Sequence, residues 1–143
     1  MQINAITGLP RSGSTLICNI FNQNPGVYAS STSVLPGVVA GISNYFSQQI
    51  EYKYALDLDK DQETDRLKNS IQKFCMEWYK PEKKNIVFDK SRGWTANIDL
   101  LSAMGGKAIF LVRDLRNIVA SVEKQNRKTD YKIDLIDKRL MID

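Results

Sequence analysis

Histidine is absent from this 143-residue sequence, and cysteine is nearly so. Without histidine, the chain lacks a common zinc ligand and the side chain that most often acts as a general base near neutral pH. The two cysteines, Cys18 and Cys75, lie apart among apolar neighbours and lack the C-x-x-C spacing of metal or redox sites. We therefore expect inert, buried thiols and no metal site.

Long apolar runs and dense runs of one charge are also absent. No apolar segment approaches the length of a membrane span, and the first six residues lead directly into a glycine-rich loop, with no room for a secretory signal. We therefore expect a cytoplasmic protein without a membrane partner. The 20 basic and 16 acidic residues give a net charge of +4. That mild excess suits an anionic small molecule and lacks the dense basic tract typical of nucleic-acid binding.

Hydrophobic periodicity predicts an α/β fold. The length and the apolar content of 43% suit one globular domain, residues 1–143. Short β-forming apolar runs predict strands at 3–7, 85–89 and 107–112. Apolar residues at helical spacing predict helices from 15 to the Asn24-Pro25-Gly26 stop, over 34–50, around 67–78, over 95–104 and around 115–122.

Strands that alternate with helices pair in parallel, so we predict a three-layer, P-loop-like fold whose parallel sheet is covered by helices on both faces. The polar run 124–130 is predicted to be an exposed hinge, followed by a helix that carries Ile133, Ile136 and Leu140 on one face. Three strands make a narrow sheet for so many helices. We therefore expect an incomplete domain that lacks its C-terminal part.

A glycine-rich loop, "GLPRSGSTL" at residues 8–16, follows the first predicted strand and precedes a predicted helix. Gly8, Gly13 and Thr15 match the phosphate-binding pattern G-x-x-x-x-G-K-[ST], but Ser14 stands in the place of the lysine. Such a turn directs backbone N–H groups and the positive end of the helix dipole at one point, which binds an anion. The structural alternative is a tight turn with Ser12 as the helix cap.

The missing lysine bears on the kind of group that the loop holds. In P-loop kinases, the lysine and Mg²⁺ neutralise the phosphates. Here the nearest candidate for a metal-binding aspartate is Asp89, and Lys90 beside it would compete with a cation. A sulfuryl group carries one negative charge fewer than a phosphoryl group, so fixed cations such as Arg11 and Lys90 can stabilise its transfer without a metal.

Three segments resemble those of sulfotransferases that use 3′-phosphoadenosine 5′-phosphosulfate (PAPS). "GLPRSGSTL" resembles their 5′-phosphosulfate loop, "FLVRDLRNIVAS" supplies a strand-end arginine and a later serine, and "FDKSRGW" supplies a lysine after a strand. The likeness is nearer to the tyrosyl-protein, carbohydrate and bacterial branches than to the cytosolic one. It implies metal-independent, in-line transfer of a sulfuryl group from PAPS to a hydroxyl acceptor, which we expect to be a small molecule or a carbohydrate.

The resemblance also implies roles for individual residues. The 5′-phosphosulfate would be held by five loop residues: Arg11, Ser12, Gly13, Ser14 and Thr15. Arg113 and Ser121 would clamp the 3′-phosphate, and Lys90 would stabilise the sulfuryl group. Asp89 completes the catalytic prediction with Arg11 and Lys90: it is the carboxylate next to Lys90 and therefore the candidate general base.

The sequence departs from the family pattern at several points. Leu115 replaces a usual proline, Arg92 stands near the place of the cytosolic branch's histidine base, residues 28–35 contain no carboxylate, and the C-terminal G-x-x-G-x-x-K segment is missing. These departures leave open a non-catalytic nucleotide-binding module or degenerate remnant, and the loop also leaves open a kinase-like phosphotransferase.

Four of the predicted site residues also have alternative, purely structural interpretations. Arg113 could form an ion pair with Asp114 or Glu123, and Ser121 could bond back to its own helix. Arg11 and Lys90 could be solvated surface charges.

Overall fold

A four-stranded parallel sheet forms the centre of the structure. This computed structural model describes residues 1–129, with side chains described up to Arg127. Neighbouring strands pair in parallel in the order β2-β3-β1-β4. The strands are β1 (Gln2–Gly8), β2 (Val27–Ala29), β3 (Ile86–Lys90) and β4 (Ala108–Leu111).

Helices connect the strands and cover the sheet. The described α-helices are α1 (Ser14–Phe21), α2 (Leu35–Gln48), α3 (Ile50–Leu58), α4 (Lys60–Tyr79), α5 (Ile98–Ala103) and α6 (Leu115–Thr129). Single turns of 3-10 helix occupy Lys80–Glu82 and Arg92–Thr95. None of the described helices is both long and apolar enough to cross a membrane.

The alternation of side chains along β1 divides the core between the two faces of the sheet. Ile3 and Ala5 belong to a large cluster with residues of α2, α4 and α5, which include Val39, Ile71 and Leu101. Ile6 belongs to a smaller cluster on the other face, with buried Cys18 of α1. The predicted three-layer α/β fold with a parallel sheet is therefore confirmed.

The sheet has four strands where the sequence analysis expected three. The Asn24-Pro25-Gly26 turn ends α1 as predicted, but the next three residues form β2 at the sheet edge. The Asn22 side chain holds β2, because its amide donates to the Ala29 carbonyl at 2.9 Å and accepts from the Ala29 N–H at 2.7 Å. A three-residue strand fixed by contacts of this kind leaves no periodic signal in the sequence.

Two helix boundaries also differ from the prediction. The helix expected over 34–50 ends at Gln48, because Gln49 adopts an extended backbone conformation with ψ 131°, and α3 follows. The helix expected over 95–104 is shorter than predicted, because Thr95 belongs to the preceding 3-10 turn and α5 begins only at Ile98. Both breaks are set by a few backbone angles, which hydrophobic spacing does not determine.

The predicted hinge over 124–130 is wrong as far as Thr129, because α6 continues through that residue. Glu123 and Arg127, one helical turn apart, form an ion pair on its surface. As far as Arg127, the polar run is therefore part of a solvated helix face. The last predicted helix, with Ile133, Ile136 and Leu140, lies outside the described residues.

Both cysteines lie in the core, as predicted. Cys18 is 2% exposed and Cys75 is fully buried. Burial raises the pKa of the Cys18 thiol, and burial together with the nearby Asp89 charge raises the pKa of Cys75 to about 12. Both thiols are therefore protonated and unreactive near neutral pH.

Gly8 lies where β1 and β4 approach each other before the loop begins. Its φ is +146°, and a Cβ built on it would lie 2.5 Å from the carbonyl oxygen of Leu111, its partner in the sheet register. Any other residue would collide with the backbone of β4. Only glycine lets β1 stay paired up to the first residue of the loop.

We predict that Gly8→Ala lowers the free energy of unfolding by ~2 kcal/mol or more, because the added methyl group meets backbone and the φ angle is strained. Gly41→Ala is the matched control. It lies inside α2 with nothing within 4 Å of the added Cβ, so the protein should gain roughly 0.5–1 kcal/mol. Urea denaturation of both variants measures these changes. Equal stabilities would contradict the close approach of β1 and β4.

Candidate functional site

The loop between β1 and α1 has the geometry predicted for an anion-binding turn. Gly13, with φ +104°, is the residue that caps α1. The first hydrogen bond within this turn of helix runs from the Ile17 N–H to the Gly13 carbonyl, so the N–H groups of residues 13–16 remain for a ligand, whereas the Ser12 N–H donates to the Leu9 carbonyl. Ser12 is not the helix cap, and that alternative is wrong. Its Oγ is buried without a hydrogen-bond partner among the described residues.

Arg113 meets this loop from the end of β4. Its Nη1 donates to the Arg11 carbonyl oxygen at 2.8 Å. Arg113 and four loop residues line a cavity of about 200 Å³, hereafter the loop cavity, formed by Arg11, Gly13, Ser14, Thr15 and Arg113. The alternative ion pairs of Arg113 are not formed, because Asp114 pairs with Arg116 and Glu123 pairs with Arg127.

Ser121 reaches the same loop from α6. Its Oγ accepts a hydrogen bond from Arg11 Nε at 2.9 Å, across 110 residues of sequence. Within residues 1–129, neither Arg11 nor Arg113 forms a salt bridge. Two unneutralised arginines therefore lie beside the positive end of α1, which makes this point attractive to an anion.

Lys90 meets the loop from β3, on the other side of β1. The register places Lys90 opposite Ile6, and Lys90 Nζ donates to Thr15 Oγ1 at 3.2 Å. The ammonium group therefore lies at the N-terminus of α1. Three segments that the sequence predicted to form the site thus come together at one edge of the sheet, at the carboxyl ends of β1, β3 and β4.

Asp89 lies on the opposite face of β3 and is fully buried. Its Oδ2 accepts from Ser33 Oγ at 2.6 Å and from the Tyr79 hydroxyl at 2.5 Å, and its Oδ1 accepts from Trp94 Nε1 at 2.8 Å. Burial raises the pKa of Asp89, and these three hydrogen bonds oppose that rise. An acceptor cannot touch a carboxylate in this position, so the geometry disfavours Asp89 as a base in direct contact with substrate.

A larger cleft of about 440 Å³ lies next to the loop cavity and shares Ser14 with it. Its walls include the first residues of the glycine loop and the segment after β3. The residues that matter here are Gly8, Pro10, Ser14, Ser33, Lys90 and Arg92, and we call this space the polar cleft. Among the described residues, no carboxylate lines it.

Ser33 is a site residue that the sequence analysis missed. Residues 28–35 stood out there only for their lack of a carboxylate. The available signal was the run of hydroxyl residues at 30–33, immediately before the proline-containing start of α2. Its meaning depends on the pairing of β2 with β3, which brings this run beside Asp89 and Lys90.

A family model described as the sulfotransferase family matches residues 5–140. The chain belongs to the sulfotransferase family. Among curated proteins, it has no significant match. The matched range contains every residue that the sequence analysis assigned to the site, from Arg11 to Ser121.

The residues of the loop cavity fit the doubly charged end of a nucleotide. The N–H groups of residues 13–16 and the guanidinium groups of Arg11 and Arg113, which form no salt bridge among the described residues, provide hydrogen-bond donors around this cavity. Within the described residues, no three potential metal ligands cluster together. This donor set therefore suits phosphate or sulfate oxygens rather than a cation.

The hydrogen bond from Trp94 to the buried Asp89 can be tested by substitution. Trp94→Phe leaves Asp89 Oδ1 without its donor, so we predict a loss of about 1–3 kcal/mol of stability at neutral pH. The Trp94 hydrogen bond lowers the pKa of Asp89 and thus stabilises its ionised form. The loss should therefore shrink as the pH falls through the pKa of Asp89 in the folded protein.

Urea denaturation over a range of pH measures this effect. Trp78→Phe is the control, because Trp78 is 48% exposed on the same helical layer and should change stability by less than about 0.5 kcal/mol. A loss for Trp94→Phe that is equally large in mild acid would show that packing alone, and not the carboxylate, requires the indole.

Proposed function

We propose that this sulfotransferase-family protein transfers a sulfuryl group from PAPS to a hydroxyl acceptor. The observation that supports the proposal is the meeting of the glycine loop, Arg113 and Lys90 at one edge of the sheet, through the contacts of Arg113 with Arg11 and of Lys90 with Thr15. A fold alone does not determine activity, but this donor set matches the charge of the nucleotide.

Both ends of the nucleotide have donors in this arrangement. The loop N–H groups, with Arg11 and Ser12 beside them, would hold the 5′-phosphosulfate. Arg113 holds the 3′-phosphate: its guanidinium has five N–H groups, and only one is used for the Arg11 carbonyl. Ser121 accepts from Arg11 and still has its hydroxyl proton to donate.

Fixed cations provide the electrostatic part of the reaction. When bound, PAPS supplies an activated sulfuryl group whose bond to the 5′-phosphate oxygen breaks, with the electron pair left on the phosphate. Lys90 and Arg11 are positioned by Thr15 and Ser121 to stabilise negative charge in that region. Charges held in place before the reaction need no reorganisation during it.

The polar cleft is the proposed acceptor site. It adjoins the loop cavity at Ser14, and its volume of about 440 Å³ is in the usual range for small-molecule sites. Hydroxyl and cationic side chains on its walls suit a polar acceptor, either a small molecule or a carbohydrate. Lys90 belongs to both the cleft and the loop contacts, so it lies where acceptor and sulfuryl group would meet.

One observation also suits a phosphotransferase. Lys90 Nζ lies at Thr15, so it could supply the charge of the lysine that Ser14 replaces. That function requires Mg²⁺, whereas the proposed sulfuryl transfer does not. Sulfate transfer that persists in EDTA, together with no transfer of the γ-phosphate of ATP, would decide for the sulfotransferase.

We predict that the protein binds 3′-phosphoadenosine 5′-phosphate more tightly than ADP, and that Arg113→Ala removes most of this preference. Loss of charge-assisted hydrogen bonds of about 1.5–3 kcal/mol corresponds to roughly a 10- to 100-fold weaker affinity for the 3′-phosphorylated nucleotide. Isothermal titration calorimetry measures both affinities. Arg116→Ala is the control, because Arg116 bonds only Asp114 among the described residues. Equal affinity of the wild type for both nucleotides would contradict the 3′-phosphate site.

Arg11→Ala should lower kcat for sulfuryl transfer by about 10²–10³-fold, as expected for loss of a donor that stabilises the transition state. The stability of the fold should not change, because Arg11 is exposed. Transfer of radiolabelled sulfate from PAPS to a panel of hydroxyl acceptors measures the effect. Arg66→Ala, on α4, is the control. An Arg11→Ala variant with full activity would remove Arg11 from the mechanism.

A further inference from the structure

We propose that Ser33 carries the proton of the acceptor hydroxyl from the polar cleft to the buried carboxylate of Asp89. The inference rests on the proposed function and assigns its missing base. Asp89 is fully buried, whereas Ser33 lines the polar cleft and donates to Asp89 Oδ2 at 2.6 Å. Ser33 thus connects the open cleft to a carboxylate that substrate cannot reach.

The hydrogen-bond capacity of Ser33 suits this role. A serine hydroxyl has one proton to donate and two lone pairs to accept with. Ser33 donates its proton to Asp89 and accepts the Leu35 N–H at 3.0 Å, which leaves one lone pair for an acceptor O–H in the cleft. The Leu35 contact holds the hydroxyl at the start of α2, so the oxygen is fixed before an acceptor arrives.

The surroundings of Asp89 make it a better proton acceptor than an exposed aspartate. The ionisable groups that face it are Tyr79 and Cys75 of α4 and Tyr28 of β2, each with a pKa raised mainly by burial and further by the charge of Asp89. At Tyr28 the carboxylate of Glu82, which lines a cavity with Ser33 and Tyr79, raises the pKa more than Asp89 does. All three are therefore neutral near pH 7. Lys90 is directed to Thr15 on the other face of β3, so it is not a counter-ion for Asp89.

The 3-10 turn that carries Trp94 adds one charged group nearby. Arg92 on this turn lines the polar cleft and is exposed, whereas the Trp94 indole donates to Asp89 from inside the core. No side chain of the described residues forms a salt bridge with Asp89. Its charge is stabilised by three neutral donors alone.

The proton balance of the relay is simple. The acceptor oxygen keeps the electron pair of its O–H bond and uses it to form the bond to sulfur. Its proton moves to Ser33 Oγ, while the Ser33 proton moves to Asp89 Oδ2. Ser33 is unchanged at the end, and Asp89 has gained one proton, which returns to water through the same hydroxyl after the product leaves. Activity therefore requires ionised Asp89 and should fall as the pH drops below its pKa.

Direct titration of Asp89 by carboxyl ¹³C NMR, on the protein without ligand, tests the coupling first. Ser33→Ala and Tyr79→Phe should each raise the pKa of Asp89, because each removes a hydrogen bond that lowers it. Ser31→Ala is the control, since Ser31 is exposed and the structure gives its side chain no contact with Asp89. An unchanged pKa in Ser33→Ala would overturn the Ser33–Asp89 contact.

Kinetics on the same variants test the relay itself. Ser33→Ala should lower kcat by roughly 10²-fold or more, the usual contribution of general acid–base catalysis, with little change in the KM of the acceptor. Ser33→Thr retains a hydroxyl and should restore much of the rate. In Tyr79→Phe, the acidic limb of the kcat profile should move to higher pH by the shift that NMR measures. A wild-type kcat in Ser33→Ala, or a limb that stays in place in Tyr79→Phe, would overturn the proposal.

Nucleotide binding distinguishes this proposal from the proposed function. All Ser33 and Tyr79 variants should bind 3′-phosphoadenosine 5′-phosphate as the wild type does, because neither residue lines the loop cavity. If the wild type transfers no sulfate to any acceptor, the proposed function fails. If the wild type is active and Ser33→Ala is equally active, only the relay fails.

Discussion

The parallel pairing of β1 with both β3 and β4 is the constraint on which the candidate site depends. The register sets Ile6 opposite Lys90 and Gly8 opposite Leu111, so three strands end within one or two residues of each other. The glycine loop, Lys90 and Arg113 are distant in sequence but adjacent at this edge. A slip of one residue in β3 would move Lys90 to the sheet face covered by α2 and α4, where Asp89 now lies. It would bring the Asp89 carboxylate to the face of α1 and the glycine loop. The close approach at Gly8 supports the register on the β4 side.

The sequence predicts those parts of the fold and site that depend on local patterns, and it does not predict those that depend on contacts between distant residues. The three longer strands are short apolar runs, and parallel sheets collect their loops at one edge, so the meeting of Arg11, Lys90 and Arg113 was predictable without coordinates. Strand β2 could not be predicted, because it has three residues, too few for a hydrophobic pattern, and is held in place by the Asn22 side chain. The polar run in α6 resembles a hinge because a solvated helix face and a loop have similar compositions. Ser33 was missed because its importance comes from a contact across 56 residues of sequence.

Asp89 and Lys90 show how strand geometry can separate two kinds of chemistry. Adjacent residues of a strand point to opposite faces. Asp89 therefore lies on the face covered by α2 and α4, where burial raises its pKa. Lys90 lies on the opposite face, where it contacts Thr15 at the start of α1. If the pair were on one face, they would neutralise each other at short range. Because they are on opposite faces, Lys90 stays at the glycine loop and Asp89 stays beside Ser33, as the roles proposed for the cation and for the carboxylate require.

The loop itself is held in a conformation that its sequence alone would not favour. Arg11 has a φ of +63°, a left-handed conformation that costs a non-glycine residue free energy. Arg113 donates to the carbonyl of this same residue, and Ser121 accepts from its side chain. The two residues proposed for the 3′-phosphate thus also fix the residue proposed for the 5′-phosphosulfate. If the nucleotide binds as proposed, its two ends share this loop, and the cost of ordering Arg11 is met by folding rather than by the ligand. The role proposed for Arg11 in place of the missing lysine therefore depends on its contacts with Arg113 after β4 and with Ser121 of α6.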